Sequence, residues 1–385
     1  MTKGHKGNPY PTQPAVMKGE LPDPFASVEP GDRVATEADW RKRAERWRSE
    51  IIHTEYGGMP PASGSVVGEV LSQGAVRRLP GEPLHNTYRI HCHGGARPFS
   101  FCARILAPRS AEPVPVIING DACWWYITDD IVRRILESGC ALMLFNRTEM
   151  AEDLGYEGVT ETRKRSGGIY ELYPDHSFGA LSAWAWGYHR CVDFLTTLPF
   201  IDSDRIAVSG HSRGGKTTIL AGATDDRIAL VNDNASCAGG SAAFRYVGAD
   251  GETIGIVDKF PSWFGPGMSD YVGAEDRLPF DQHCLLACIA PRPVLLTYAL
   301  DDRWSNPEGM VQCAWAAAEV YDFLGAKERL AFHLRSGGHA HTEADWEVLL
   351  DFIAWNWMGK PPQAAYNQHP YRHLRPAFSW KAPTR

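Results

Sequence analysis

The sequence predicts an α/β fold, a mostly parallel sheet covered by helices on both faces. From about residue 114 onward, short apolar runs alternate with helical segments of about 10–20 residues. That is the rhythm of parallel strands joined by crossover helices. One Gly-rich turn, Gly210-His211-Ser212-Arg213-Gly214, stands between such a run and such a segment. Composition agrees: of 385 residues 44% are hydrophobic and 22% charged, the balance of a globular chain with one sizeable core.

The elements follow in order. Residues 1–32 carry Pro9, Pro11, Pro14, Pro22, Pro24 and Pro30, and read as an extended arm ahead of a single domain over 33–385. Thr36 with Asp39 three residues on forms an approximate capping box, and Trp40, Ala44, Trp47 and Ile51 follow at helical spacing. Strand-like runs at 65–71, 87–92 and 99–107 suggest an antiparallel lead-in. Strands are then expected at 114–118, 140–145, 205–209, 229–231, 294–299 and 329–334, and helices at 129–138, 179–198, 213–223, 307–323 and 343–358. No Ser/Gly-rich linker divides the chain, so 146–178 and 238–290 read as long insertions in that domain.

Several classes are excluded. With 39 Lys and Arg against 46 Asp and Glu, the net charge is −7, and no global basic field exists to hold nucleic acid. No stretch of about 18 apolar residues is present, so no membrane span is expected. No apolar h-region follows the basic start, and the nine cysteines are odd in number, scattered and mostly in apolar segments. Both features favour buried free thiols and a cytoplasmic location. His91-Cys92-His93 lacks zinc-ligand spacing, and alternation on a strand sends its neighbours to opposite faces, so no metal is expected.

The turn at 210–214 fits G-x-S-x-G, and its context is that of a nucleophile elbow: Arg205–Ser209 as strand before it, Gly214–Ala223 as helix after it. Ser212 at a helix N-terminus is placed to become an alkoxide. A serine needs a base, and the base an orienting carboxylate. In α/β-hydrolases the chain order is Ser, acid, His. Asp301 and Asp302 follow the strand at 294–299, and His339 and His341 follow the strand at 329–334. The fold expected is therefore an α/β-hydrolase. Cys123-Trp124-Trp125-Tyr126 reads equally as core or as the rim of a sugar-facing cleft.

At these residues the chain resembles the glucuronoyl esterases, which cleave esters of methyl-glucuronate. The family signature G-C-S-R-x-G-K stands here as Gly210-His211-Ser212-Arg213-Gly214-Gly215-Lys216, with His211 in place of Cys. The resemblance extends to Phe260–Phe264, Leu278–His283, Ile289–Pro293, Asp302-Arg303-Trp304, Gly337-Gly338-His339, Leu21–Pro24 and Ala183–Gly187. It implies Ser212 as nucleophile, Arg213 as an oxyanion donor, Lys216 as a donor to sugar hydroxyls, Trp304 as the ring against which the uronate sits, and His339 as base with His341 as competitor. It implies no cofactor and no metal.

One segment departs from the family. Many members carry the catalytic Glu in E-S-G-x-G-G; here Ala235-Ser236-Cys237-Ala238-Gly239-Gly240 follows Asp233-Asn234 and offers no carboxylate at that place. The ordinary hydrolase position then offers Asp302, with Asp301 as alternate, while Asp281 and His283 read as fold residues. A second oxyanion donor is expected from the backbone around Asn119-Gly120-Asp121. The competing readings are a general acyl or acetyl esterase or a peptidase on the same fold, and a non-catalytic carbohydrate-binding relative. The expected partner is a small-molecule or oligosaccharide uronate ester.

Overall fold

A computed structural model describes residues 15–26, 33–154 and 165–384. A short strand, β1 (Val16–Met17), precedes helix α1 (Glu37–Tyr56). Both halves of the expected capping box form: the Asp39 N–H donates to Thr36 Oγ1 (3.2 Å) and the Thr36 N–H to Asp39 Oδ2 (2.9 Å). Trp40, Ala44, Trp47 and Ile51 make the buried stripe of this helix.

The antiparallel lead-in is β2 (Ser65–Ala75), β3 (Leu84–His93) and β4 (Phe99–Ala107). Then come β5 (Val114–Asn119), α2 (Asp129–Glu137), β6 (Ala141–Phe145), α3 (Ala180–Leu195), β7 (Ile201–His211), α4 (Arg213–Thr224) and β8 (Leu230–Asn234). The segment that follows holds β9 (Tyr246–Val247), which pairs with β1, and two short helices, α5 (Ile256–Lys259) and α6 (Gln282–Ala287). The chain closes with β10 (Val294–Ala299), α7 (Pro307–Phe323), β11 (Leu330–Arg335) and α8 (Glu343–Met358).

The sheet order is β11-β10-β8-β7-β5-β6-β4-β3-β2. From β6 to β11 every pairing is parallel; β4 joins β6 antiparallel and continues so to β2. This is the α/β-hydrolase architecture. The central strands are apolar on both faces because helices cover both: all six residues of β5 and of β10 are buried. Fifteen of the sixteen residues of α3 are buried, as befits a helix hydrophobic all round. Since β5, β7, β8, β10 and β11 run parallel, Asn119, His211, Asn234, Ala299 and Arg335 all end at one edge of the sheet. That edge is where such folds place chemistry.

Within the segment read as an arm, Leu21 and Phe25 are fully buried, and Pro24 O accepts from Trp47 Nε1 (2.9 Å). Pro9, Pro11, Pro14 and Pro30, and residues 155–164 of the first insertion, lie outside the described residues. All nine cysteines are free; seven are buried, Cys102 is exposed and Cys123 is partly covered. Among the described residues no helix is long and apolar enough to cross a membrane.

Burial sets a pH response. Desolvation pushes His189, His211 and His283 down to about 4, from an ordinary 6.5. Between those values the unfolded chain binds protons at these sites and the folded chain does not, so stability rises with pH. Urea midpoints measured from pH 7 to 4.5 are expected to fall steadily on acidification. A midpoint unchanged over that window would contradict the burial of these rings.

Candidate active site

The elbow is built by close backbone approach. Ser212 has φ 55° and ψ −120°, a left-handed conformation that costs a non-glycine residue about 1–3 kcal/mol. Its N–H donates to Asn234 O (2.8 Å), which ties the turn to the end of β8. A Cβ at Gly210 would stand 2.4 Å from Gly214 O, and one at Gly214 would stand 2.2 Å from Asp121 Oδ1. Only glycine fits at either position.

Asp302 and His339 meet across the ends of β10 and β11. His339 Nδ1 lies 2.6 Å from Asp302 Oδ2, and Ser305 Oγ donates to the same oxygen. Burial pushes the Asp302 carboxyl up, but its hydrogen bonds with His339 and Ser305 outweigh that and hold it below the usual carboxylate range. Asp301 is exposed and does something else: its Oδ2 accepts from the Gly337 N–H (2.8 Å), and its N–H donates to Gly337 O (3.1 Å). It therefore braces the loop that carries His339. His341 is buried, stacked on Trp346 (4.8 Å, 13°), with Nδ1 3.3 Å from Tyr126 OH. Desolvation holds it well below the ordinary histidine value, so it stays neutral.

His211, the departure from the family heptad, packs its ring 4.5 Å from that of His339. Its Nδ1 lies 2.6 Å from Asn234 Oδ1. Asn234 Nδ2 is spent on Thr297, so Oδ1 is the acceptor and His211 carries its proton on Nδ1.

Arg213 opens α4 beside Ser212. Its guanidinium lies over Trp263 (4.4 Å), and Nη1 bonds Asp153 Oδ1 (2.9 Å). The backbone donor expected around residues 119–121 is not available. The Gly120 N–H donates to Tyr188 OH (2.8 Å) and the Asp121 N–H to Asn119 Oδ1 (3.0 Å). The loop turns its Asp121 carboxylate toward the elbow instead, where Oδ2 accepts from the His211 N–H (2.8 Å).

Lys216 is 2% exposed. Its three N–H groups go to Ser236 O, Ala238 O (2.5 Å) and Glu252 Oε2 (3.0 Å). No donor is left over for a sugar hydroxyl; Lys216 holds Glu252. The Glu252 N–H in turn donates to Trp304 O (2.8 Å), and the Trp304 ring is 47% exposed, with Lys259 Nζ 4.9 Å from its centre. Asp233 sits in a buried cluster, accepting from Ser236 Oγ (2.7 Å) and Ser241 Oγ; burial raises it to about 6. Asp281 accepts from the N–H groups of Phe244, Arg245 and Gln282, and His283 bonds Pro22 O, so both serve the fold. In the aromatic run Tyr126 bonds Asp121 while Trp125 is 83% exposed. Sequence reasoning missed Glu252, Asp153 and Asn234. Each meets the site through a long-range contact that no local spacing announces.

A family model described as "Glucuronyl esterase, fungi" matches residues 90–325. The chain belongs to the glucuronoyl esterase family. A carbohydrate esterase from an unknown prokaryotic organism is 40% identical, covering 89% of this chain and 91% of the relative. A 4-O-methyl-glucuronoyl methylesterase of Wolfiporia cocos is 30% identical, over 86% and 78%. Among solved structures, a glucuronoyl esterase from Caldicellulosiruptor kristjansonii is 30% identical with TM-score 0.79, covering 95% of this chain and 98% of that one. As a member of the family the chain is a carboxylic ester hydrolase for glucuronoyl esters, and the readings as a general esterase, a peptidase or a silent binder are not favoured. The family corrects one expectation. Its fungal members are secreted, extracellular enzymes acting on plant polysaccharides, which conflicts with a cytoplasmic location. Buried thiols like these survive in either compartment, so cysteine usage misled.

Proposed function

We propose that the chain hydrolyses methyl and larger alkyl or aryl esters of (4-O-methyl-)glucuronic acid through an acyl-enzyme on Ser212. The contact that carries this reading is His339 Nδ1 on Asp302 Oδ2 at 2.6 Å, beside the strained elbow. With Nδ1 tied to Asp302, Nε2 is the nitrogen left to take the Ser212 proton. Ser212 Oγ then bonds the ester carbonyl carbon, and the oxyanion forms beside the Arg213 guanidinium. Collapse breaks the bond to the alcohol, which leaves with the proton from His339. Water repeats the sequence and frees the uronic acid. Asp302 holds the ring and stabilises the imidazolium. A preorganised donor such as Arg213 contributes about 3–4 kcal/mol to the barrier reduction.

The acyl side is read from Trp304, Glu252 and Lys216. Trp304 offers a face for the sugar ring, while Lys216 holds Glu252, whose N–H bonds the Trp304 carbonyl. A solved glucuronoyl esterase from Sporotrichum thermophile, 28% identical with TM-score 0.72 over 90% of each chain, is in complex with methyl 4-O-methyl-β-D-glucopyranuronate. That ligand supports a uronate as acyl group.

The test compares methyl 4-O-methyl-glucuronate with an aryl acetate, with Ser212→Ala as the blank. Preference for the uronate is expected, and Trp304→Ala should lower its kcat/KM about tenfold while sparing the acetate. Equal losses on both esters would remove the sugar from Trp304; turnover of the acetate alone would end the uronate reading.

A further inference from the structure

The guanidinium that meets the oxyanion is itself held. We propose that Asp153 is a positioning residue for Arg213, the last link of a chain of alternating charge, Asp121–Arg147–Asp153–Arg213, that runs from the buried interior to the partly exposed Arg213 and fixes the guanidinium beside Ser212. The proposal rests on the reading of Arg213 as the oxyanion donor.

Asp153 spends one carboxylate oxygen on each arginine: Oδ1 on Arg213 Nη1 (2.9 Å) and Oδ2 on Arg147 Nη2 (3.2 Å). The Arg147 side chain is wholly buried, with its guanidinium between the rings of Trp124 (4.4 Å) and Trp184 (4.6 Å). Nη1 of Arg147 donates to Cys123 Sγ (3.0 Å), and Nε stands 3.6 Å from Asp121 Oδ1. The other oxygen of Asp121 takes the N–H of His211, the residue before the nucleophile. The chain therefore leaves the elbow at His211 and returns to it at Arg213.

Two physical effects follow. First, an arginine side chain is long and rich in rotamers, and a donor that must be collected during the reaction is worth less than one already in place. The Asp153 contact and the Trp263 face immobilise Arg213 beforehand. Arg213 Nε is buried and has no hydrogen-bond partner among the described residues. Second, a lone carboxylate against Arg213 would weaken the pull on an oxyanion. Arg147 neutralises Asp153 from the far side, and Asp121 balances Arg147 in turn. The guanidinium at the elbow keeps its charge while its pose is fixed.

A double-mutant cycle tests this. Asp153→Ala, Arg213→Ala and the double variant are assayed for kcat and KM on methyl 4-O-methyl-glucuronate, with thermal melts for each. Asp153→Ala is expected to lower kcat about 10- to 100-fold with KM changed less than about threefold, and to change kcat by less than about twofold once Arg213 is gone. The isosteric Asp153→Asn gives the same comparison should the alanine variant not fold. It keeps an acceptor for Arg213 but turns an amide toward Arg147, and a smaller, equally Arg213-dependent loss is expected. Equal losses in both backgrounds, a loss in KM alone, or no loss would overturn the proposal and assign Asp153 to the fold. If Arg213→Ala alone leaves kcat unchanged, the oxyanion reading itself has failed, an outcome visible without any Asp153 variant.

Discussion

Ser212→Ala is expected to cut kcat on a methyl glucuronate ester by about 10⁴- to 10⁶-fold, leaving only the contribution of binding and the oxyanion donors. Folding should survive. The backbone at 212 is held by the bond from its N–H to Asn234 O, which alanine retains. The same position allows a second measurement. At φ 55° the serine is strained, and glycine is not. Ser212→Gly is therefore expected to be as inactive as the alanine variant, yet more stable than it by about 1 kcal/mol in urea melts. Substantial activity in either variant would remove Ser212 from the nucleophile role. A glycine variant less stable than the alanine one would remove the strain.

Asp302→Asn is expected to lower kcat about 10³- to 10⁴-fold, and Asp301→Asn less than about threefold. The difference comes from what each carboxylate holds. Asp302 Oδ2 accepts from both Ser305 and His339 Nδ1; an amide nitrogen there presents a donor to Nδ1 and drives the imidazole into the tautomer that cannot receive the serine proton. Asn at 301 keeps an oxygen for the Gly337 N–H, the task Asp301 performs. Steady-state rates on the methyl ester at pH 7 decide it. The reverse order of losses would make Asp301 the acid, and no loss from either would place the acid elsewhere.

The turn at Ser212 was legible because an elbow is a local object. Five residues, a strand before and a helix after specify its geometry, and the close contacts at Gly210 and Gly214 explain the composition of the turn. The strands and helices from 114 onward were legible for the same reason: apolar runs covered on both faces leave few alternatives. Boundaries shifted by a few residues, as with β7, which begins at Ile201 rather than 205. The β1–β9 pair and the short helices α5 and α6 carry too few residues for any periodicity.

Choices between neighbours were not legible. Asp301 and Asp302 are adjacent, and His339 and His341 differ by two positions; which of each faces the cleft depends on loop conformation. Lys216 was expected, from the family resemblance, to donate to sugar hydroxyls, whereas here two carbonyl oxygens and Glu252 converge on it. The expected backbone donors at Gly120 and Asp121 were lost to Tyr188 and Asn119, one distant in sequence and the other next door.

From the sequence alone came the α/β-hydrolase class and the family, with the proposed Ser–acid–His order, all of which rest on short-range pattern. Only the tertiary structure decided that Asp302 meets His339, that Glu252 meets Lys216, and that Asp153 joins Arg147 to Arg213. Most of those contacts join segments tens of residues apart, and each needs opposite charges brought together by the fold, a condition no single stretch of chain can express.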